Sequence, residues 1–149
     1  MKDIELLWNL YQDNRSQAQF HETQRANGTG LIAGGAALIL GSMTQDGVFN
    51  RGDSPLAGVM LLIGVFGFFF CMKSYECMKV HLNRCRRFLK MLDASDATHD
   101  LGAIKDECDR LTAREFPFAS RLKLQGFWLG IHVIIALAGL AILMRIYLA

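Results

Sequence analysis

The sequence predicts an all-α integral membrane protein with three transmembrane helices and a cytoplasmic helical layer. Apolar residues make up 52% of the 149 residues and lie in three blocks, which is typical of a small membrane protein rather than a soluble domain. Basic residues are concentrated between the second and third blocks, so they can orient the chain in a bilayer. The second block runs into a basic segment with no Gly or Pro between Gly67 and residue 92, which predicts one long helix.

The N-terminal segment, residues 1–27, is predicted to be a cytoplasmic helix. It contains apolar residues at helical spacing over its first three turns, and this stripe then fades. A helix lying on the membrane surface would keep its apolar face to the end. We therefore expect this helix to pack against the cytoplasmic half of the long helix, where the two would form the helical layer.

The first apolar block, residues 28–43, is predicted to be a transmembrane packing element rich in small residues. Small residues at intervals of three and four let helix backbones approach closely in lipid. The residues expected to make these contacts are Gly30, Gly34, Ala37 and Gly41. The contacts could lie within the chain or between subunits, and the sequence leaves both alternatives open.

The remaining segments follow from hydropathy and turn signals. Residues 44–54 are predicted to be a short external loop, and residues 55–72 the second span. Residues 73–92 extend that span into the cytoplasm, and residues 93–125 form a linker with a short amphipathic helix. Residues 126–148 are the third span.

The distribution of Lys and Arg predicts the orientation of the chain. The segment 73–123 has eleven of them, against three in the N-terminal segment and one in the loop 44–54. The positive-inside rule then places the N-terminus in the cytoplasm and the C-terminus outside, in a multi-pass protein of the inner (cytoplasmic) membrane. The bilayer is therefore the first expected partner.

The extension of the second span has a stripe of residues at alternating three- and four-residue spacing. A stripe of this kind is typical of coiled-coil packing. It could pack against the N-terminal helix of the same chain or against copies of the chain, which would make the protein a homo-oligomer. The stripe consists of Tyr75, Met78, Leu82, Cys85, Leu89 and Leu92.

Charged and aromatic residues at the matching depth of the first and second helices predict a polar network just below the membrane. One interpretation is a set of ion pairs that fixes helix register. The other is a gating site, where an activating ligand or partner binds. The residues concerned are His21, Glu22, Arg25, Tyr75, Glu76, His81 and Arg84.

Other candidate chemistry has weaker support in the sequence. Cys77, His81 and Cys85 could ligate zinc together with Cys108, but a straight helix turns the third ligand away from the first, and buried inert thiols are the favoured alternative. Arg15 and His21 match a loose arginine–histidine spacing of helical ribonucleases, which chance also produces. No catalytic motif is present, so we expect no enzyme, cofactor or metal.

His132 is the ionisable residue to note within a span. An ionisable group inside a membrane suggests a functional role, but the shallow depth of His132 favours a hydrogen bond at the interface over a place on a conduction path.

The order of segments resembles a known family. A polar helix ending in HETQRANGTG runs into a Gly/Ala-rich span, and a second span continues into the basic helix KSYECMKVHLNRCRRFLKML. This architecture, over residues 1–95, is similar to that of the small SLATT-like transmembrane proteins of bacterial anti-phage systems. The resemblance implies an oligomeric membrane pore that is switched on by a cytoplasmic sensor protein or by a nucleotide or nucleic-acid signal. The third span departs from the two-span pattern.

The function predicted from the sequence is an oligomeric effector that perturbs the membrane, forming a pore or leak gated from the cytoplasm. The alternative is a non-conducting anchor that recruits a cytoplasmic partner through the basic surface 79–90. A transporter is disfavoured, because the spans have no ionisable residue at mid-membrane and no inverted repeat.

Overall fold

A computed structural model of the chain describes residues 2–45, 47–95, 100–116 and 124–148. These residues form four α helices, α1 (Lys2–Met43), α2 (Ser54–Ser95), α3 (Leu101–Glu115) and α4 (Leu124–Leu148), and contain no strand. The all-α prediction is confirmed. Three of the helices, α1, α2 and α4, are long and apolar enough to cross a membrane, as predicted.

Two helices continue through the boundaries between predicted spans and cytoplasmic segments. The predicted cytoplasmic helix and the first span are one helix, α1, in which Gly28 and Gly30 stay helical. The second span and its extension are likewise one helix, α2, as the lack of Gly and Pro predicts. Pro55 lies in the first turn of α2, where its missing N–H costs no helical hydrogen bond.

The loop between α1 and α2 is closed by local hydrogen bonds. Gly47 has a φ of 74°, a left-handed conformation that favours glycine. A short 3₁₀ turn, Arg51–Asp53, follows. The Asn50 side chain accepts a hydrogen bond from the Gly52 backbone N–H at 2.7 Å, and Asp53 accepts one from the Asn50 N–H at 2.9 Å. Asp46 of the predicted turn, and Pro117 with other parts of the predicted linker, lie outside the described residues.

The chain divides into two compact units. Unit 1 comprises Met1–Glu22 and Glu76–Leu124, and unit 2 comprises Thr23–Tyr75 and Gln125–Ala149. Both α1 and α2 contribute residues to each unit. The two units are described separately below.

In unit 2, glycines bring α2 and α4 into backbone contact. A Cβ atom placed on Gly64 would lie 2.5 Å from the backbone N of Ala136, and one on Gly139 would lie 2.6 Å from the backbone N of Leu61. Only residues without a side chain permit this approach. The α2–α4 seam of unit 2 is therefore a close helix contact of the kind found in membranes.

Unit 2 has a small core and a largely apolar surface. Its core is made by Ala36, Met43, Ala57, Met60, Ile135 and Ile142. Large apolar side chains remain exposed around it: Leu31 and Leu38 are each 78% exposed, and Leu62 and Ile134 are each 68% exposed. A soluble monomer rarely exposes so much apolar surface, whereas a bilayer covers it. The surface is compatible with a multi-pass membrane protein.

Candidate functional site

A polar cluster lies buried among the three apolar helices of unit 2. His132 of α4 is fully buried, and its Nε2 lies 3.1 Å from Oγ1 of Thr29 on α1. The same hydroxyl lies 3.4 Å from Sγ of Cys71 on α2. Since a hydroxyl has one proton, it donates to only one of these two neighbours at a time. The Thr29 hydroxyl thus joins α1, α2 and α4 at one level.

The other ring nitrogen of His132 faces glycine. A Cβ atom on Gly67 would lie 2.2 Å from Nδ1 of His132, so the imidazole occupies the space left by the missing side chain. Within the described part of the chain, Nδ1 is buried without a hydrogen-bond partner. The sequence predicts a hydrogen bond for His132, and the structure has one, buried among the helices of unit 2.

Arg25 lies at the centre of a second group of polar contacts in unit 2. It is 3% exposed, and its Nη1 donates a hydrogen bond to Oε1 of Gln125 at 2.9 Å. Its guanidinium lies 5.9 Å from the ring centroids of both Tyr75 and Trp128, within the range of cation–π attraction. A buried charge needs such compensation, and residues of α2 and α4 together provide it for this one.

In unit 1, two histidines link α1 and α2. The rings of His21 and His81 are stacked, with centroids 5.6 Å apart and planes 23° apart. Nδ1 of His81 also lies 3.0 Å from Oδ1 of Asn14, a side chain that is 7% exposed. The predicted network therefore has a paired core of His21 and His81 in unit 1, and Arg25 contacts Tyr75 in unit 2.

The remaining members of the predicted network lie on the surface. Glu22, Glu76 and Arg84 are exposed. Glu22 borders a cavity of about 100 Å³ that Arg15 also lines.

The predicted stripe on α2 faces the interior. Cys85 and Leu92 are buried, and the other four members, Tyr75, Met78, Leu82 and Leu89, are half-buried. Sγ of Cys85 donates to the backbone carbonyl of Tyr11 on α1 at 3.6 Å. Burial raises the pKa of the Cys85 thiol, and the nearby Arg15 charge partly opposes this rise. Cys85 of the stripe thus packs against α1 of the same chain.

The described residues contain no group of three or more His, Cys, Asp or Glu side chains placed to hold a metal ion. Of the four residues considered for zinc, Cys85 is bonded to Tyr11, His81 to Asn14, and Cys108 is exposed on α3. Cys77 is half-buried.

The predicted packing face of α1 is open. Gly30, Gly34, Ala37 and Gly41 are all exposed, and a Cβ atom on any of the three glycines would meet nothing within 4 Å. The glycines that make backbone contact within unit 2 are instead on α2 and α4, and Gly28 of α1 packs against the ring of Phe70. Contact within the chain was one of the two alternatives for this face of α1, and the described residues do not make it.

Several site residues were not found from the sequence. Thr29 bonds to His132, Cys71 lies against Thr29, and Asn14 bonds to His81, yet each lies at an ordinary helical position. One signal was available: Arg25 and Thr29 are four residues apart, as are Cys71 and Tyr75, so each pair lies on one face of its helix. The pairing of these faces could not be read from a single sequence.

No protein-family model matches the chain, and no curated protein or solved structure matches it.

Proposed function

We propose that the chain is a homo-oligomeric membrane protein that opens a pore or leak in the inner membrane, as an effector of a bacterial defence system. On this proposal the N-terminus lies in the cytoplasm, where a sensor protein or a nucleotide or nucleic-acid signal acts on the helical layer. The defence role comes from the resemblance to SLATT-like proteins. The assembly is supported by the contacts of α1.

The observation that carries the proposal is the open small-residue face of α1. Within unit 2, Gly64 of α2 and Gly139 of α4 make backbone contact, whereas a Cβ atom on Gly30, Gly34 or Gly41 of α1 would meet nothing within 4 Å. In lipid there is no hydrophobic effect to hold helices together, so a face that permits close approach gains most from a second helix. The partner that is always present at the same depth is another copy of α1.

The same face suits the lining of a narrow passage. From residue 23 to residue 44, the positions at three- and four-residue spacing have only small or neutral polar side chains, and all are exposed. A ring of such helices leaves a path without charges, which would conduct with little selectivity or close by dewetting. The residues are Thr23, Asn27, Gly30, Gly34, Ala37, Gly41 and Thr44.

The experiment is a comparison of two neighbouring glycines. Gly34 lies on the proposed face, and Gly35 is turned from it by about 100°, with nothing within 4 Å of a Cβ on either residue. Wild-type chain, Gly34→Leu and Gly35→Leu are expressed to equal membrane levels, and membrane potential is followed with a potential-sensitive dye. We expect wild type and Gly35→Leu to depolarise the cells and Gly34→Leu to leave the potential unchanged.

Chemical crosslinking in the same membranes tests the assembly apart from the leak. Wild type and Gly35→Leu should give oligomer bands that Gly34→Leu lacks. A wild-type chain that stays monomeric would contradict the proposal. The wild-type chain could form oligomers and yet not depolarise the cells, even when neighbouring genes are co-expressed. That result would support the assembly and refute the pore.

A non-conducting anchor is a second candidate, because the exposed basic residues of α2 offer a docking surface. Arg84, Arg86, Arg87 and Lys90 are all exposed. Four cations over two turns would attract an acidic partner, with a strong dependence on salt. Substituting these residues with Gln would abolish recruitment by an anchor, but would leave the conductance of a pore formed by α1 intact.

A further inference from the structure

The stacked pair of His21 and His81 is an unusual contact for holding two helices together. Histidine is the side chain whose charge changes between pH 5 and 8, so two of them in contact bring a pH-dependent term into the packing. Their ring centroids are 5.6 Å apart across the α1–α2 contact of unit 1.

The protonation of His81 follows from its neighbours. Nδ2 of Asn14 donates to the backbone carbonyl of Leu10 at 2.9 Å, so the Asn14 oxygen is the atom facing His81. Nδ1 of His81, 3.0 Å from that oxygen, must therefore be the donor. In the neutral ring the proton is on Nδ1, and Nε2 takes the next proton without loss of the bond to Asn14.

The charges around the pair do not offset the two protons that acid would add. Glu22 and Arg15 of α1 line a cavity together with Met78 and Leu82 of α2, which precede and follow His81 in the sequence. The negative charge of Glu22 is accompanied by the positive charge of Arg15, so two imidazolium rings would leave this region with a net positive charge. The titratable residues of α2 within about a turn of His81 are Cys77, Lys79, Arg84 and Cys85.

We propose that His21 and His81 form a pH-sensitive clasp between α1 and α2 of unit 1, closed while the rings are neutral and released by acid. When both rings are protonated, two like charges about 5.6 Å apart repel each other across the helix contact. The clasp is independent of the pore proposed above, since it concerns only the packing of unit 1.

Two native thiols of unit 1 provide a direct measurement of release. Cys85 is 5% exposed and bonded to Tyr11 of α1, whereas Cys108 is exposed on α3. Between pH 7.5 and 5.5 the thiolate fraction of any ordinary thiol falls about tenfold per unit, so the ratio of the two alkylation rates is constant unless packing changes. The full chain in lipid nanodiscs is alkylated over this range, and the modified sites are counted by mass spectrometry.

We expect the Cys85/Cys108 rate ratio of the wild-type chain to rise about tenfold as the pH falls. The repulsion between the two charged rings separates α1 from α2 in unit 1 and so exposes the Cys85 thiol. His21→Phe keeps a ring for stacking without the charge, and its ratio should stay flat. His81→Gln, which keeps a donor for Asn14, provides a second uncharged variant should the first fold poorly. A flat wild-type ratio, or an equal rise in wild type and in both variants, would overturn the clasp.

Discussion

Nε2 of His132 and Oγ1 of Thr29 lie 3.1 Å apart across the α1–α4 contact of unit 2. Both side chains are at most 2% exposed. This pair gives the apolar bundle of unit 2 a polar centre, and it sets the register of α1 against α4. Polar contacts of this kind are specific because an unpaired partner in hydrocarbon is costly.

Replacement of Thr29 by Val should destabilise the chain by about 1–2 kcal/mol, because Nε2 of His132 would remain buried without a partner. The matched control is Thr44→Val, since the Thr44 hydroxyl is exposed and bonds to the Leu40 and Gly41 carbonyls of its own helix. Unfolding of the purified chain in mixed micelles measures both. Equal midpoints for the two variants would contradict this role of Thr29.

A methyl group at Gly139 should destabilise the chain by about 1–3 kcal/mol, because it would lie 2.6 Å from the backbone N of Leu61 and 2.9 Å from the backbone oxygen of Ala57. Gly34→Ala is the control, with nothing within 4 Å of the added atom. It should leave unfolding unchanged or raise stability by about 0.5–1 kcal/mol, through better helix propensity. The same unfolding assay applies, and a stable Gly139→Ala chain would show that the α2–α4 seam is looser than described.

Arg25 should prove sensitive to a change of shape at constant charge. Arg25→Lys retains the positive charge but loses the planar group that lies over Tyr75 and Trp128, so we expect a loss of about 1–2 kcal/mol. Gln125→Ala removes only the hydrogen bond to Nη1 and should cost less, about 1 kcal/mol. An Arg25→Lys chain as stable as wild type would mean that charge alone matters at this position.

Cys85 should be alkylated much more slowly than Cys108 at pH 7.5. Burial raises the pKa of the Cys85 thiol, so less of it is thiolate at any pH below that value, and its reactivity should increase only at more alkaline pH. Mass spectrometry after timed alkylation gives both rates in one sample. A Cys85 that reacts as fast as Cys108 would show that the α1–α2 contact of unit 1 is open in solution.

The sequence predicted the helices more fully than the contacts between helices. Hydropathy and the lack of Gly and Pro after Gly67 are local properties, and they were sufficient to predict three spanning helices and the unbroken α2. The structure brings together only some members of the predicted polar network: His21 with His81, and Arg25 with Tyr75. Spacing along one helix indicates which residues share a face, but not which residue of another helix meets that face. Asn14 was missed for this reason.

By itself, the sequence determined that the chain is all-helical, that three helices can cross a membrane, and which residues share each face, because these follow from local composition and the helical period. Only the tertiary structure decided which glycines are in contact. Gly64, Gly67 and Gly139 take the close α2–α4 approach, while Gly30, Gly34 and Gly41 stay open. Both sets are glycines within apolar helices. The difference between them lies in which helices pack together, a property of the whole bundle rather than of any one segment.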